Sequence, residues 1–167
     1  MTGYLSPPPN GVAVRQAIVL FTLLLTAVAG AASRPYDESA DAKAAVQRAL
    51  AAAKESQLPV LIIFGANWCE DCRVLDEALT HGKSAELVAK EFKVVKVDVG
   101  NFDRNLDLAA AYGNPIKKGI PAAVVLSANN GVLYTTRAGE LANARRMSDT
   151  GIYEFFSRVA KDTAAKP

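Results

Sequence analysis

Along residues 41–55, Ala45, Val46, Leu50 and Ala53 recur at the spacing of one helix face, with Lys and Glu on the other, which predicts an amphipathic helix. Pro59 stops it. Residues 60–64, Val-Leu-Ile-Ile-Phe, form a short apolar run of mostly branched side chains, the pattern of a strand covered on both faces. Gly65-Ala66-Asn67-Trp68 turns the chain into a second helix over about 69–79, closed by Thr80-His81-Gly82. A shorter helix is expected over 84–90, then a strand over 92–99 that pairs with the 60–64 strand. Residues 103–112 can form a helix and 113–119 a loop, and 122–126 give a further apolar strand. Asn129-Asn130-Gly131 is a hairpin turn signal leading into 132–134. Ser148 or Asp149 then caps a final helix that buries Ile152, Phe155, Phe156 and Val159. Parallel crossovers followed by an antiparallel pair predict an α/β fold, a mixed central sheet with helices on both faces.

The first residues follow another pattern. Arg15 is the one charged side chain before an apolar stretch at 17–28 that only Thr22 and Thr26 interrupt. Small residues at Ala29-Gly30-Ala31 and Gly30-Ala31-Ala32 suit a signal peptidase, and Ser33-Arg34-Pro35 opens a polar stretch. The expectation is a signal peptide over 1–32, cleaved after Ala31 or Ala32, and one domain over 33–167. The apolar stretch is shorter than the roughly 20 residues a membrane-spanning helix needs, which disfavours an uncleaved anchor. Export places the mature chain in the periplasm or outside the cell, where thiols tend to pair.

Composition adds an exclusion. The 167 residues are 50% hydrophobic and 22% charged, as suits one globular domain, and a net charge of +2 without a basic run gives nucleic acid no electrostatic footprint. The two cysteines, Cys69 and Cys72, stand three apart, and a bond between them closes a ring too small to brace a fold through loop entropy. A structural staple explains the pair poorly.

Chemistry explains it better. Cys69 falls at a helix N-terminus, where unpaired N–H groups and the helix dipole stabilise an anion, and the thiolate is the attacking form of cysteine. Cys72, one turn later on the same side, can attack the resulting mixed disulfide and release the product. Cys69 is expected to be exposed and Cys72 buried. Glu70 and Asp71 put two negative charges beside the thiolate, which disfavours it and, taken alone, makes the couple more reducing.

The strand, the tight turn and the Trp68-Cys69-Glu70-Asp71-Cys72 helix together resemble thioredoxin, and Tyr112-Gly113 followed by Gly119-Ile120-Pro121 resembles the stretch that ends in that family's cis-proline. The resemblance spans about 59–159 and implies the thioredoxin fold. It implies that Pro121 packs against the cysteine pair and that Ile120 offers backbone hydrogen bonds to a bound substrate chain. Gly139 resembles the glycine lining the same groove, and Trp68 matches the tryptophan before the nucleophile. Two departures stand out. Ile63 occupies the place of a buried aspartate that assists the second cysteine, leaving Lys96, which matches the family's partly buried lysine, without its usual acidic partner. The segments 100–105 and 114–118 are also several residues longer than in thioredoxin.

Other readings carry less. Tetrahedral zinc needs four ligands, and the chain offers one cysteine pair and one histidine, His81, at the far end of the cysteine helix, so neither a metal nor a cofactor is expected. His81 reads as a helix cap. Taken alone, Trp68 is also compatible with a core position and Pro121 with an ordinary trans bond. Lys117-Lys118 and Arg145-Arg146 read as solvated loops rather than docking patches. The leading expectation is a monomeric thiol-disulfide oxidoreductase acting on protein disulfides, as a reductase fed by a membrane electron donor. A dithiol oxidase with a membrane acceptor and a non-catalytic binding module are the alternatives.

Overall fold

The computed structural model describes residues 34–165, together with Met1 and Gly3; the leader expected over 1–32 lies, those two apart, outside the described residues. Helix α1 (Ala42–Ser56) starts where the Asp41 carboxylate accepts the Ala44 N–H at 3.0 Å, and it buries Ala42, Val46, Leu50 and Ala53. Strand β1 (Val60–Gly65) follows with every residue buried. After it come α2 (Glu70–Thr80), α3 (Gly82–Glu91), β2 (Lys93–Asp98), α4 (Leu106–Ala111), β3 (Ala122–Leu126), β4 (Val132–Thr135) and α5 (Asp149–Ala164).

The sheet order is β2-β1-β3-β4. β1 runs parallel to β2, from Val60 opposite Lys93 to Gly65 opposite Asp98, and antiparallel to β3, which pairs antiparallel with β4. Successive side chains of β1 point to opposite faces, so this central strand feeds two cores. Val60, Ile62 and Phe64 pack with Val46 and Leu50 of α1 and Leu108 of α4. Leu61 and Ile63 pack with Leu75 of α2, Val88 of α3 and Phe155 and Phe156 of α5. Each such large apolar side chain contributes about 1.5–3 kcal/mol by leaving water. The mixed sheet with helices on both faces is the thioredoxin fold expected from the sequence.

Two stretches differ from expectation. The helix expected over 103–112 is confined to α4, because Phe102 and Asn105 take left-handed backbone angles (φ 62° and 52°) and Asp103 and Arg104 both donate to the Val99 carbonyl. The expected loop at 113–119 contains a 3-10 turn, Pro115–Lys118, and a second such turn, Ala144–Arg146, precedes α5. Among the described residues no helix is long and apolar enough to cross a membrane.

Candidate active site

β1 ends at Gly65, and the turn through Asn67 and Trp68 delivers Cys69 as the N-cap of α2, where its Sγ accepts the Cys72 N–H at 3.1 Å. Cys69 and Cys72 are joined by a disulfide across a Cα separation of 5.2 Å. Cys72 is wholly buried, as expected, but Cys69 is also buried at 5% exposure, which corrects the expectation of an exposed thiol. The bond folds its sulfur inward against Cys72, and the Ile120 carbonyl oxygen stands 3.6 Å from it.

The residues assigned to substrate contact are placed unequally. The Ile120–Pro121 peptide is cis and both residues are buried, and the Ile120 carbonyl is the group that faces Cys69 Sγ. Trp68 is 55% exposed, a surface rather than a core residue; its Nε1 donates to the Gly100 carbonyl at 2.8 Å and its ring tilts against Phe102 at 6.2 Å. The longer 100–105 loop therefore builds one wall of the site. Phe102 also borders an open hollow of about 560 Å³ lined by Leu106, Ile116, Lys117 and Gly119. Gly139 has φ +76°, and a Cβ there would come within 2.8 Å of the Lys118 carbonyl, so it connects to the site through the segment before Ile120. A larger hollow of about 790 Å³ lies at the other end of α2, around His81, Ser84 and Tyr153, away from the cysteines. His81 closes α2 through its backbone N–H, which donates to the Glu77 carbonyl at 3.1 Å.

The acidic pair beside Cys69 is not left unopposed. Arg145 Nη1 donates to Glu70 Oε2 at 2.5 Å, Arg145 Nε lies 3.3 Å from Asp71 Oδ2, and the Arg145 backbone N–H donates to Asp71 Oδ1 at 2.9 Å. These carboxylates hold the guanidinium above its ordinary pKa, Asp71 and Glu70 both acting by hydrogen bond and by charge. Arg145 thus belongs to the surroundings of Cys69, which corrects its reading as a solvated loop residue. A partner 75 positions away leaves no local sequence signal.

Under Cys72 lies a polar cluster that the sequence did not reveal. A Cβ at Gly65 would overlap the Tyr36 hydroxyl and come 3.0 Å from Cys72 Sγ, so hydroxyl and sulfur share the space the glycine leaves open. Tyr36 is held by a two-way amide pairing, its N–H donating to Asn67 Oδ1 at 3.0 Å and Asn67 Nδ2 donating to the Tyr36 carbonyl at 2.8 Å. Burial, and after it the charges of Asp76 and Asp98, push the Tyr36 hydroxyl well above the usual tyrosine range. Asp98, on β2, is itself pushed up by burial although it accepts the Gly100 N–H at 3.1 Å and faces Arg104 at 3.5 Å. Lys96, expected without its usual acidic partner on the strand, forms an ion pair with Asp76 of α2 instead. The missing strand carboxylate at Ile63 is thus matched by one arriving from the helix, at a spacing of four from Cys72 that only the fold makes meaningful.

A family profile described as thioredoxin-like matches residues 41–128. A solved structure titled as a disulphide isomerase from Xylella fastidiosa Temecula1 is 59% identical, covers 77% of this chain and 98% of its own, and superposes with a TM-score of 0.75. The chain belongs to the thioredoxin-like family. It is a thiol-disulfide oxidoreductase of that family. More distant likenesses concern the fold alone: a structure titled DsbH oxidoreductase (18% identity, 81% of this chain and 88% of that one, TM-score 0.53) and a thioredoxin from Thermus thermophilus (20% identity, 72% and 84%, TM-score 0.50). No curated protein sequence matches.

Proposed function

We propose that this oxidoreductase reduces disulfides of protein substrates in the cell envelope, with Cys69 as nucleophile and Cys72 as resolving cysteine. The observation that carries the reading is Cys69 at the N-terminus of α2, where the helix favours a thiolate, beside the Ile120 carbonyl and the exposed face of Trp68. Trp68, Ile120, Pro121 and Gly139 are read as the docking strip for an extended substrate chain. A leader cleaved after Ala31 or Ala32 would deliver the protein to the periplasm, and N-terminal sequencing of exported protein starting at Ala32 or Ser33 tests that. Protein disulfides, a membrane electron donor and a monomeric working state complete the reading.

The direction rests on Glu70 and Asp71. Their charges oppose the Cys69 thiolate, and Arg145 offsets them in part, so the pair tunes the cysteine without silencing it. The potential is expected nearer to the roughly −270 mV of thioredoxin than to the roughly −120 mV of a strong periplasmic oxidant. A glutathione redox titration decides: a value at the oxidant end overturns the reductase direction in favour of a dithiol oxidase. Replacing Glu70-Asp71 with Gly-Pro is expected to raise the potential and lower the Cys69 pKa. Insulin reduction with dithiothreitol is expected to accelerate, and to fall to the buffer rate with Cys69→Ser.

The 59% identity to a protein titled as a disulphide isomerase favours a second reading, in which the same Cys69 attack reshuffles wrong disulfides. Recovery of activity by scrambled ribonuclease, without net change in its thiol count, distinguishes isomerisation from reduction.

A further inference from the structure

The segment between β2 and α4 holds apolar side chains out in water beside the reacting cysteine. Phe102 is 42% exposed at φ 62°, a backbone region that residues with a side chain rarely adopt, and Leu106 and Trp68 are exposed with it. Several ties enforce this conformation: Asp103 Oδ1 accepts the Asn101 N–H at 2.9 Å, the Val99 carbonyl accepts the Asp103 N–H at 3.1 Å, and the Trp68 indole is fastened to Gly100. A strained backbone that displays an apolar ring instead of burying it marks a contact surface, since neither the strain nor the exposure favours the free protein. Between Phe102, Leu106 and the buried Ile116 lies the open hollow of about 560 Å³. Two links fix it to the chemistry. Gly119, in its lining, precedes Ile120, whose carbonyl faces Cys69 Sγ, and Phe102 packs on Trp68, the residue before Cys69, with ring centroids 6.2 Å apart. A chain held at Cys69 by its own sulfur, advancing about 3.3 Å per extended residue, passes the hollow within about two or three residues. Exposed Lys117 lines the hollow and Lys118 follows it, and neither has an ion-pair partner among the described residues.

We propose that this hollow is a specificity subsite for protein substrates: it takes a large apolar side chain, two or three residues from the substrate cysteine, with an acidic residue beside it facing Lys117 and Lys118. The inference rests on the reading of Cys69 as the nucleophile that attacks protein disulfides, and it narrows which disulfides are taken. The Trp68–Phe102 wall runs from the cysteine into the hollow, so one extended chain can meet both. Full burial of a Phe or Leu side chain favours a complex by about tenfold to a hundredfold, and an open hollow that covers it in part delivers about the lower figure. The exposed lysines add a smaller preference that salt screens. A second copy of the chain is the poorer occupant, because a copy seated beside Trp68 would obstruct the exchange reaction itself.

The test measures how fast reduced protein is oxidised, in a single turnover, by symmetric disulfides of peptides with one cysteine each. The first peptide carries Phe two residues and Glu three residues from its cysteine on both flanks; the second has Ala in place of Phe, and the third Lys in place of Glu. Wild-type protein is expected to react about tenfold faster with the first than with the second, and about threefold faster with the first than with the third, the latter gap closing as salt is added. The readout is the ratio of rates within one protein, which a general effect on Cys69 does not move. In Leu106→Ser the Phe-over-Ala ratio is expected to fall to about twofold or less, and in Lys117→Glu the Glu-over-Lys ratio to invert while the Phe-over-Ala ratio holds. Phe102→Ala is expected to act as Leu106→Ser does and stands in for it if that variant does not fold. A Phe-over-Ala ratio near one in wild type, or one that both variants leave intact, overturns the proposal. So does a dimer in sedimentation that Leu106→Ser dissolves, which assigns the hollow to a second copy. If oxidised glutathione, which carries no side chain for the hollow, also fails to oxidise wild-type protein, the exchange reading itself falls and the subsite with it, a result separate from any change of ratio.

Discussion

Arg145 sits on the charge balance of Cys69 from outside the cysteine helix, with its guanidinium divided between Glu70 and Asp71. Removing it as Arg145→Ala leaves two unopposed negative charges beside the thiolate. The reduced form then loses stability, so the couple is expected to become more reducing and the Cys69 pKa to rise. Because the pair is half exposed and screened by water, the shift is expected to stay below about 30 mV, the equivalent of tenfold in the exchange constant. A glutathione titration of wild type and variant measures it, and a shift in the oxidising direction would show that Arg145 does not act by offsetting these carboxylates. Cys69 and Cys72 were legible because three-residue spacing at a helix start is itself chemical information. Arg145, Asp76 and Tyr36 were not, because each matters through a neighbour supplied by the fold: Glu70, Lys96 and the space above Gly65.

Among the elements, those with strong periodicity matched the sequence within a residue or two, and those governed by special backbone angles did not. α5 is bounded at its start by Ser148, whose hydroxyl accepts the Gly151 N–H at 3.1 Å, and it buries the four residues foreseen together with Ala160 and Thr163. Ser148→Ala removes that cap and is expected to cost about 1 kcal/mol in urea unfolding without moving the redox potential, since α5 does not carry the cysteines. A changed potential at unchanged stability would mean that α5 bears on the site. The region before α4 behaves otherwise. Its helical pattern is cut short by left-handed Phe102 and Asn105, and the Asn105 side chain donates to the Asp98 carbonyl at 2.7 Å. The loop is thereby fastened to β2, and Phe102 is aimed at Trp68. A non-glycine residue at positive φ depends on such tertiary ties, which periodicity does not encode.

For the whole molecule, the order of strands and helices was readable because β1 is apolar throughout and its alternate side chains must be covered from both sides. That architecture lets the redox bond sit at one end of the sheet while the two cores lie below it. The disulfide spans only three positions, so breaking it frees little chain entropy. The same layout gives the protein an optical gauge of its own. Trp68 is the only tryptophan in the chain, it adjoins the disulfide, and its indole is pinned to the Gly100 carbonyl. A disulfide quenches a neighbouring excited indole by accepting an electron, so emission is expected to brighten when the bond is reduced and to dim when it re-forms. Following fluorescence during reduction by dithiothreitol, with Trp68→Phe as the dark control, would convert each turnover into a light signal without an added dye; emission unchanged by reduction would show that the indole and the bond are optically uncoupled.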